Sequence, residues 1–385
     1  MFADRTDWNL EENRLTRSLA RRRAAGDAIL DLSASNPTTC GFSFDDSTIL
    51  RAFSDPAILR YSPDPHGLPA ARAAICDYYA QLGGRISSEE IFLTTGTSEA
   101  YSFLFRTLCN PGDEILIPTP SYPLFDYLAE IHDVRLARYS LLYDHGWHID
   151  FYSLERAIGL RTRAAIVVHP NNPTGHYVKA AQAAQLSNIC ATHGMALIAD
   201  EVFYDFSYSQ EHPPSFIANR DALTFVLSGL SKICGLPQMK AGWIATTGPG
   251  EAKERALGRL EVIADTYLSM NAPVQCALPA LLGLRDDFQR QLVKRTTTNL
   301  AELDAQLASH PRCSRLEVEG GWNAVVRVPA IRSDEDAAID LLESRGVYVH
   351  PGHFYDFPSD GYMVVSLIVP SDEFAEGISR VLEFF

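Results

Sequence analysis

The stretch LSGLSKICGLPQMKAGW, residues 227–243, decides how this chain is read. An apolar run ends at Ser228-Gly229, Lys232 follows, and a second lysine, Lys240, stands just before another apolar run. Glycine after a strand lets the backbone turn sharply. The pattern places a strand over 223–228, Lys232 beyond its carboxyl end, and the next strand over 241–245. In open α/β sheets ligands bind beyond the carboxyl ends of strands. A lysine there is ordinarily a solvated loop residue, but in a cleft its amine can carry an aldehyde as a Schiff base.

The same rhythm extends on both sides. Short apolar runs over 91–95, 114–118, 134–142, 164–169 and 195–199 alternate with helical patterns over 66–81, 122–130, 151–160, 178–193, 250–270 and 274–284, and with one after Gly96 that carries Ala100, Phe103, Leu104 and Leu108. Seven such strands separated by helices predict an α/β fold with a mainly parallel sheet covered on both faces. After about residue 287 the texture becomes α+β: helices over 288–309, 339–345 and 374–384, with strands over 315–318, 324–328, 347–350 and 362–368. The expected division is a segment 1–50 tied to the small domain or to an oligomer interface, a large domain 51–287 and a small domain 288–385.

Bulk composition narrows the class. The chain has 385 residues, 46% of them hydrophobic, with 33 basic and 48 acidic side chains and a net charge of -15. That balance disfavours nucleic acid and anionic membrane as partners. The dense run Arg17, Arg21, Arg22 and Arg23 reads as the solvated face of a helix rather than a targeting arm. The seven cysteines are odd in number, and no pair has metal-ligand spacing, which fits buried thiols in a reducing cytoplasm. No window approaches a membrane span.

Four loops follow strand ends. TTGTSEA, residues 94–100, opens a helix with Gly96, Thr97 and Ser98, whose free N–H groups and hydroxyls suit a phosphate, although an ordinary cap uses the same residues. PNNPTG, residues 170–175, is a turn that frees the Asn171 and Asn172 amides. Asp200-Glu201 ends the strand 195–199; its carboxylate could hold a cation, face a protonated ring nitrogen, or cap a helix. Lys232 is the fourth. A phosphate cradle, a donor for a ring oxygen, an anion for a ring nitrogen and an amine for an aldehyde are the four needs of pyridoxal 5'-phosphate.

With PNNPTG, DEVF (200–203) and SGLSK (228–232) in this order and spacing, nearly the whole chain resembles the fold type I, class I/II aminotransferases. The resemblance implies a PLP-transferase fold, its large domain built on a seven-stranded sheet, assembled as a homodimer with active sites between the domains. It implies that Lys232 holds the cofactor's aldehyde and moves the substrate proton, that Asp200 pairs with the pyridine nitrogen, and that Asn172 bonds the phenolic oxygen. Gly96, Thr97, Ser98 and Ser231 would hold the phosphate. Tyr122, in TPSYPLF, would stack over the ring, and Tyr61, in YSPDPHG, would reach the neighbour's phosphate. Lys240 stands where many relatives place a phosphate-binding arginine; it keeps the charge without the bidentate fork.

Three positions depart from that family. Phe203 replaces the usual tyrosine donor to the phenolic oxygen, with Tyr204 beside it. Val364, in GYMVVSLIVP, replaces the arginine that binds the substrate carboxylate, leaving Arg327, His350, His353 and Tyr355 as candidate substitutes; Arg327 could equally face solvent. DTYLSMNAPVQ, residues 265–275, has no arginine for a distal acid, which disfavours aspartate or glutamate as main donor. No metal site is expected. The activity implied is transfer of an amino group between an amino acid and a 2-oxo acid. The alternatives are a lyase or decarboxylase of the same fold, or an aminotransferase acting on amines without an α-carboxylate.

Overall fold

The structure, a computed structural model, describes residues 1–209, 213–268 and 270–385. Its strands are β1 (Leu30–Asp31), β2 (Ile91–Thr94), β3 (Glu114–Thr119), β4 (Arg135–Tyr143), β5 (Trp147–Ile149), β6 (Thr162–Val168), β7 (Ala196–Asp200), β8 (Thr224–Gly229), β9 (Gly242–Thr247), β10 (Ser314–Arg315), β11 (Asn323–Arg327), β12 (Val347–Tyr348), β13 (His350–Pro351) and β14 (Tyr362–Ser366).

The large sheet runs in the order β2-β9-β8-β7-β6-β3-β4-β5. Its centre, from β8 to β4, is parallel, while β9 and β5 join antiparallel. The central strands are apolar at almost every position because helices cover both faces. Alternate side chains divide between two cores. Leu93, Leu116, Ala165, Leu197 and Val226 pack on one face, and Phe92, Ile115, Ile166, Ile198 and Phe225 on the other. The sheet has eight strands rather than the seven expected. The extra one, β5, is three residues long and follows a turn in which His145 and Gly146 both take positive φ, so no apolar run announces it.

The four-stranded sheet β10-β11-β14-β13 is antiparallel and forms a separate core with Leu303, Leu341, Ile378 and Val381. Leu15, Leu19 and Leu32 join that core, and β1 pairs in parallel with β12. The arginine-rich helix Arg14–Ala24 lies on helix Asp334–Arg345 and turns its charges outward, Arg14 to Asp336 at 2.7 Å and Arg21 to Glu343 at 2.5 Å. Upstream of it, Arg5 pairs with Asp133, and Trp8 donates to Glu130 and packs edge-on against Tyr127. The first 24 residues therefore strap helix Leu124–Ile131 of the large sheet to the small-sheet core. Helix Asp46–Ala52 instead packs on helix Ala272–Gly283.

Several boundaries move. The helix expected over 122–130 begins at Leu124, because Pro123 caps it and leaves Tyr122 in the loop. The strand expected over 315–318 is only Ser314–Arg315, and that over 347–350 splits into β12 and β13. The helix expected over 250–270 is described as Gly250–Tyr267; Ser269 lies outside the described residues.

Candidate active site

The carboxyl ends of β2, β3, β6, β7 and β8 open on one cavity of about 900 Å³, closed on its far side by β11, β13 and β14. Tight backbone packing builds its floor. A Cβ on Gly229 would lie 2.6 Å from the Ala241 carbonyl oxygen, and one on Gly242 would lie 3.0 Å from the Gly96 Cα. Three backbones thus meet where only glycine fits, bringing the Gly96 turn, Ser231 and Lys232 to the same wall.

Lys232 follows Gly229 in the short helix Leu230–Ile233. Its Nζ sits 4.8 Å from the Trp322 ring centre and 5.6 Å from that of Phe203. Burial against these rings disfavours the ammonium form and lowers the Lys232 pKa to about 8, with the Asp200 charge opposing the shift. Asp200 ends β7, buried, and burial raises its pKa to about 6 against hydrogen bonds from the Tyr101 hydroxyl at 2.8 Å and the Val202 N–H at 3.2 Å. Glu201 turns the other way. It accepts from Ser215 and the Phe216 N–H, its pKa raised by burial to about 8, and it lies outside the cavity.

Asn172 lines the cavity after β6. Its Oδ1 accepts from Asn323 Nδ2 at 2.8 Å, which fixes the amide and leaves its own NH₂ as the group still to be used. The loop is anchored by Gly175, at φ +70, whose carbonyl accepts from the N–H groups of Glu319 and Gly320. Thr97 and Ser98 begin helix Thr97–Leu108, Gly96 makes no side-chain cap, and the Ala100 N–H already takes the Gly96 carbonyl. The first N–H groups of that helix and two hydroxyls face the cavity as a ready anion cradle. Tyr122 is 45% exposed at the cavity mouth.

Three expected residues are not brought in. Lys240 is exposed, held by a left-handed backbone (φ 52), and does not line the cavity. Tyr61 is 80% exposed and lines a separate cleft of about 70 Å³ with Leu268 and Gln275. Arg327 shares the face of Asn323 but stands four residues further along β11, roughly 13 Å away at strand spacing, stacked over Tyr362 and exposed. It is not the carboxylate anchor of this cavity. Val364 does line it, together with His350, His353 and Tyr355. Tyr204 does not compensate for Phe203, since its hydroxyl donates to the Pro213 carbonyl. Tyr101, Asn323 and Trp322 escape sequence reasoning. Among the described residues no cluster of His, Cys, Asp and Glu side chains is arranged to hold a metal, and no helix is long and apolar enough to cross a membrane.

An anion cradle, a free amide, a buried carboxylate and an amine of lowered pKa, all at the carboxyl edge of one sheet, define a pyridoxal-phosphate enzyme of fold type I. The residues present fit that cofactor. The chain belongs to the aminotransferase class I and II family, whose profile matches residues 29–377, and it catalyses cofactor-dependent transamination. It is 29% identical to the alanine aminotransferase of Mycobacterium tuberculosis over 378 residues, covering 95% of this chain and 87% of that protein. It is also 29% identical to the glutamate-pyruvate aminotransferase AlaA of Escherichia coli, covering 94% and 92%. In fold it matches the alanine aminotransferase of Pyrococcus furiosus with TM-score 0.90 at 23% identity, over 100% of this chain and 99% of that one.

Proposed function

We propose that this enzyme moves an amino group from a monocarboxylic amino acid with an apolar or aromatic side chain to a 2-oxo acid. The observation that carries the reading is the pairing of Lys232 and Asp200 at adjacent strand ends in one cavity. The cavity wall supports the substrate class. It is rich in aromatic rings, among them Trp8, Tyr127, Phe354 and Trp322, and its outer acids are Asp126, Glu130 and Asp356. Asp126 and Asp356 are paired with Arg138 from outside, and among the described residues no arginine lines the cavity, so a second substrate carboxylate would find no guanidinium there.

When bound, pyridoxal phosphate supplies an aldehyde that condenses with amines and a protonated ring that draws electrons from the substrate's Cα. Asp200, kept in place by Tyr101, would hold the ring proton. Asn172, kept in place by Asn323, would donate to the phenolic oxygen. Thr97, Ser98 and Ser231 would bind the phosphate. The Lys232 amine, whose lowered pKa raises its neutral fraction near pH 8, would take the Cα proton and release it on the cofactor side. The Trp322 and Phe203 rings shield the amine on one side. The proposed assembly is a cytoplasmic homodimer in which the exposed Tyr61 serves the partner's phosphate site, with domain boundaries near residues 50 and 287.

The test is an absorbance titration of the cofactor-loaded protein with single amino acids and no oxo acid. Loss of the visible band with release of one equivalent of 2-oxo acid is expected for bulky monocarboxylic donors and not for aspartate. Continuous release of ammonia or carbon dioxide with the band unchanged would replace transamination by a lyase or decarboxylase reaction.

A further inference from the structure

The small sheet turns one row of side chains toward the cavity. In its register Ser366 lies opposite Asn323, and Val364 lies between Val325 and His350. Directly opposed residues on antiparallel strands share a face, their Cβ atoms about 4.5–5.5 Å apart. Asn323, Ser366, Val364 and His350 all line the cavity. The row begins at the Asn323–Asn172 hydrogen bond, and His350 lies two residues along, roughly 7 Å, and two strands across, roughly 10 Å, from Asn323.

Lys232 lines the same cavity as this row, so the row is within the space open to an amino acid reacting there. Val364 offers a carboxylate nothing: it is apolar and buried. Its two neighbours do. Ser366 is buried at the cavity wall, and among the described residues its hydroxyl has no hydrogen-bond partner. Leaving such a group unpaired is unfavourable, so a ligand acceptor there is stabilised. His350 Nδ1 stands 3.0 Å from the Tyr355 hydroxyl. A phenol is the stronger proton donor of the two, which favours the tautomer in which it donates to Nδ1 and the ring proton is on Nε2. Burial disfavours the charged imidazole, with the Asp31 carboxylate opposing it.

We propose that His350, oriented by Tyr355 and assisted by Ser366, binds the substrate's α-carboxylate in place of the missing arginine. The inference rests on the transaminase reading and names how that site holds its substrate. Neutral donors give up the long-range attraction of an arginine, so substrate affinity comes from short contacts and from the aromatic wall.

The test uses cofactor-loaded wild-type, His350→Phe, His350→Gln and Ser366→Ala proteins, each shown to keep the wild-type melting temperature and cofactor absorbance. Calorimetry measures the dissociation constant of 3-phenylpropanoate, a carboxylate with no amine to react. Half-reaction kinetics are run with phenylalanine and with phenylalaninamide, which lacks the charge. His350→Phe is expected to raise the dissociation constant for the carboxylate and the KM for phenylalanine 10- to 100-fold. The kcat should stay within about threefold, and the KM for the amide should not move. His350→Gln recovers part of the loss, and adding Val364→Arg to His350→Phe restores carboxylate binding. Equal carboxylate affinity in wild type and His350→Phe overturns the assignment, as does a wild-type enzyme that uses the amide as well as the acid. A wild type that binds 3-phenylpropanoate yet converts no amino acid points instead to failure of the transaminase reading.

Discussion

Replacing Lys232 by methionine in the cofactor-free protein should raise its stability at neutral pH, and by an amount that depends on pH in a defined way. The Lys232 pKa falls from 10.5 to about 8 on folding, chiefly through burial against Trp322 and Phe203. Below pH 8 the amine is charged in both states, and the folded state bears the whole penalty of holding it. Between pH 8 and 10.5 the unfolded chain binds more protons than the folded one, so wild-type stability rises with pH. At about 1.36 kcal/mol per pKa unit, the change across that window is about 3 kcal/mol. Methionine fills similar space and carries no charge. The stability gap between Lys232→Met and wild type should therefore be widest below pH 8 and narrower by about 3 kcal/mol above pH 10.5. Urea unfolding of both proteins at pH 7, 8, 9 and 10.5 measures it, and the difference cancels the titrating groups that are not coupled to the amine; Asp200 is coupled, and its pKa of about 6 lies below this range. A gap independent of pH, or one that widens with pH, would refute the claim that the amine is buried at the expense of its charge. An Asp200→Asn background should extend the effect, because the Asp200 anion is what opposes the shift.

Three further outcomes follow from the geometry. Asn323→Ala frees the Asn172 amide to rotate, so the donor to the cofactor's phenolic oxygen is lost part of the time; the absorbance-titration midpoint of the Lys232 Schiff base should rise by about 1 pH unit, while Asn323→Gln should show less. Asp200→Asn in the loaded enzyme removes one partner of a buried charge pair, a loss of about 3–5 kcal/mol and so on the order of 10²- to 10⁴-fold in kcat/KM, measured in the half-reaction. Gly175→Ala would set a Cβ 2.3 Å from Val318 Cγ2 and 2.5 Å from the Gly320 carbonyl oxygen at φ +70; it should destabilise the fold by about 2 kcal/mol or more, read from thermal melts, and weaken cofactor binding through Asn172.

Much of this architecture is visible in sequence because buried parallel strands are short unbroken apolar runs. AAIVV within 162–168 and ALIA within 196–200 could hardly be anything else. β5 is not visible because a three-residue antiparallel strand buries only alternate side chains. At the site, Lys232, Asp200 and Asn172 are legible because each stands at a strand's carboxyl end, where position and chemistry coincide. Their supports are not. Tyr101 meets Asp200 across 99 residues and Asn323 meets Asn172 across 151, contacts set by helix and sheet packing rather than by local pattern. Arg327 shows the opposite error. Its charge made it a candidate for the carboxylate, but strand spacing carries it past the cavity.

The strap formed by the first 24 residues also constrains how the chain assembles. Arg14 and Arg21 meet partners 322 positions later, at Asp336 and Glu343. The partners of Arg5 and Trp8, Asp133 and Glu130, are made long before the helix on which Arg14 and Arg21 dock. Leu15 and Leu19, which end in the small-sheet core, must therefore stay uncommitted while the large domain forms. Docking of helix Arg14–Ala24 belongs to the assembly of the small-sheet core, so a polar replacement at Leu15 or Leu19 would burden that step and spare the large sheet.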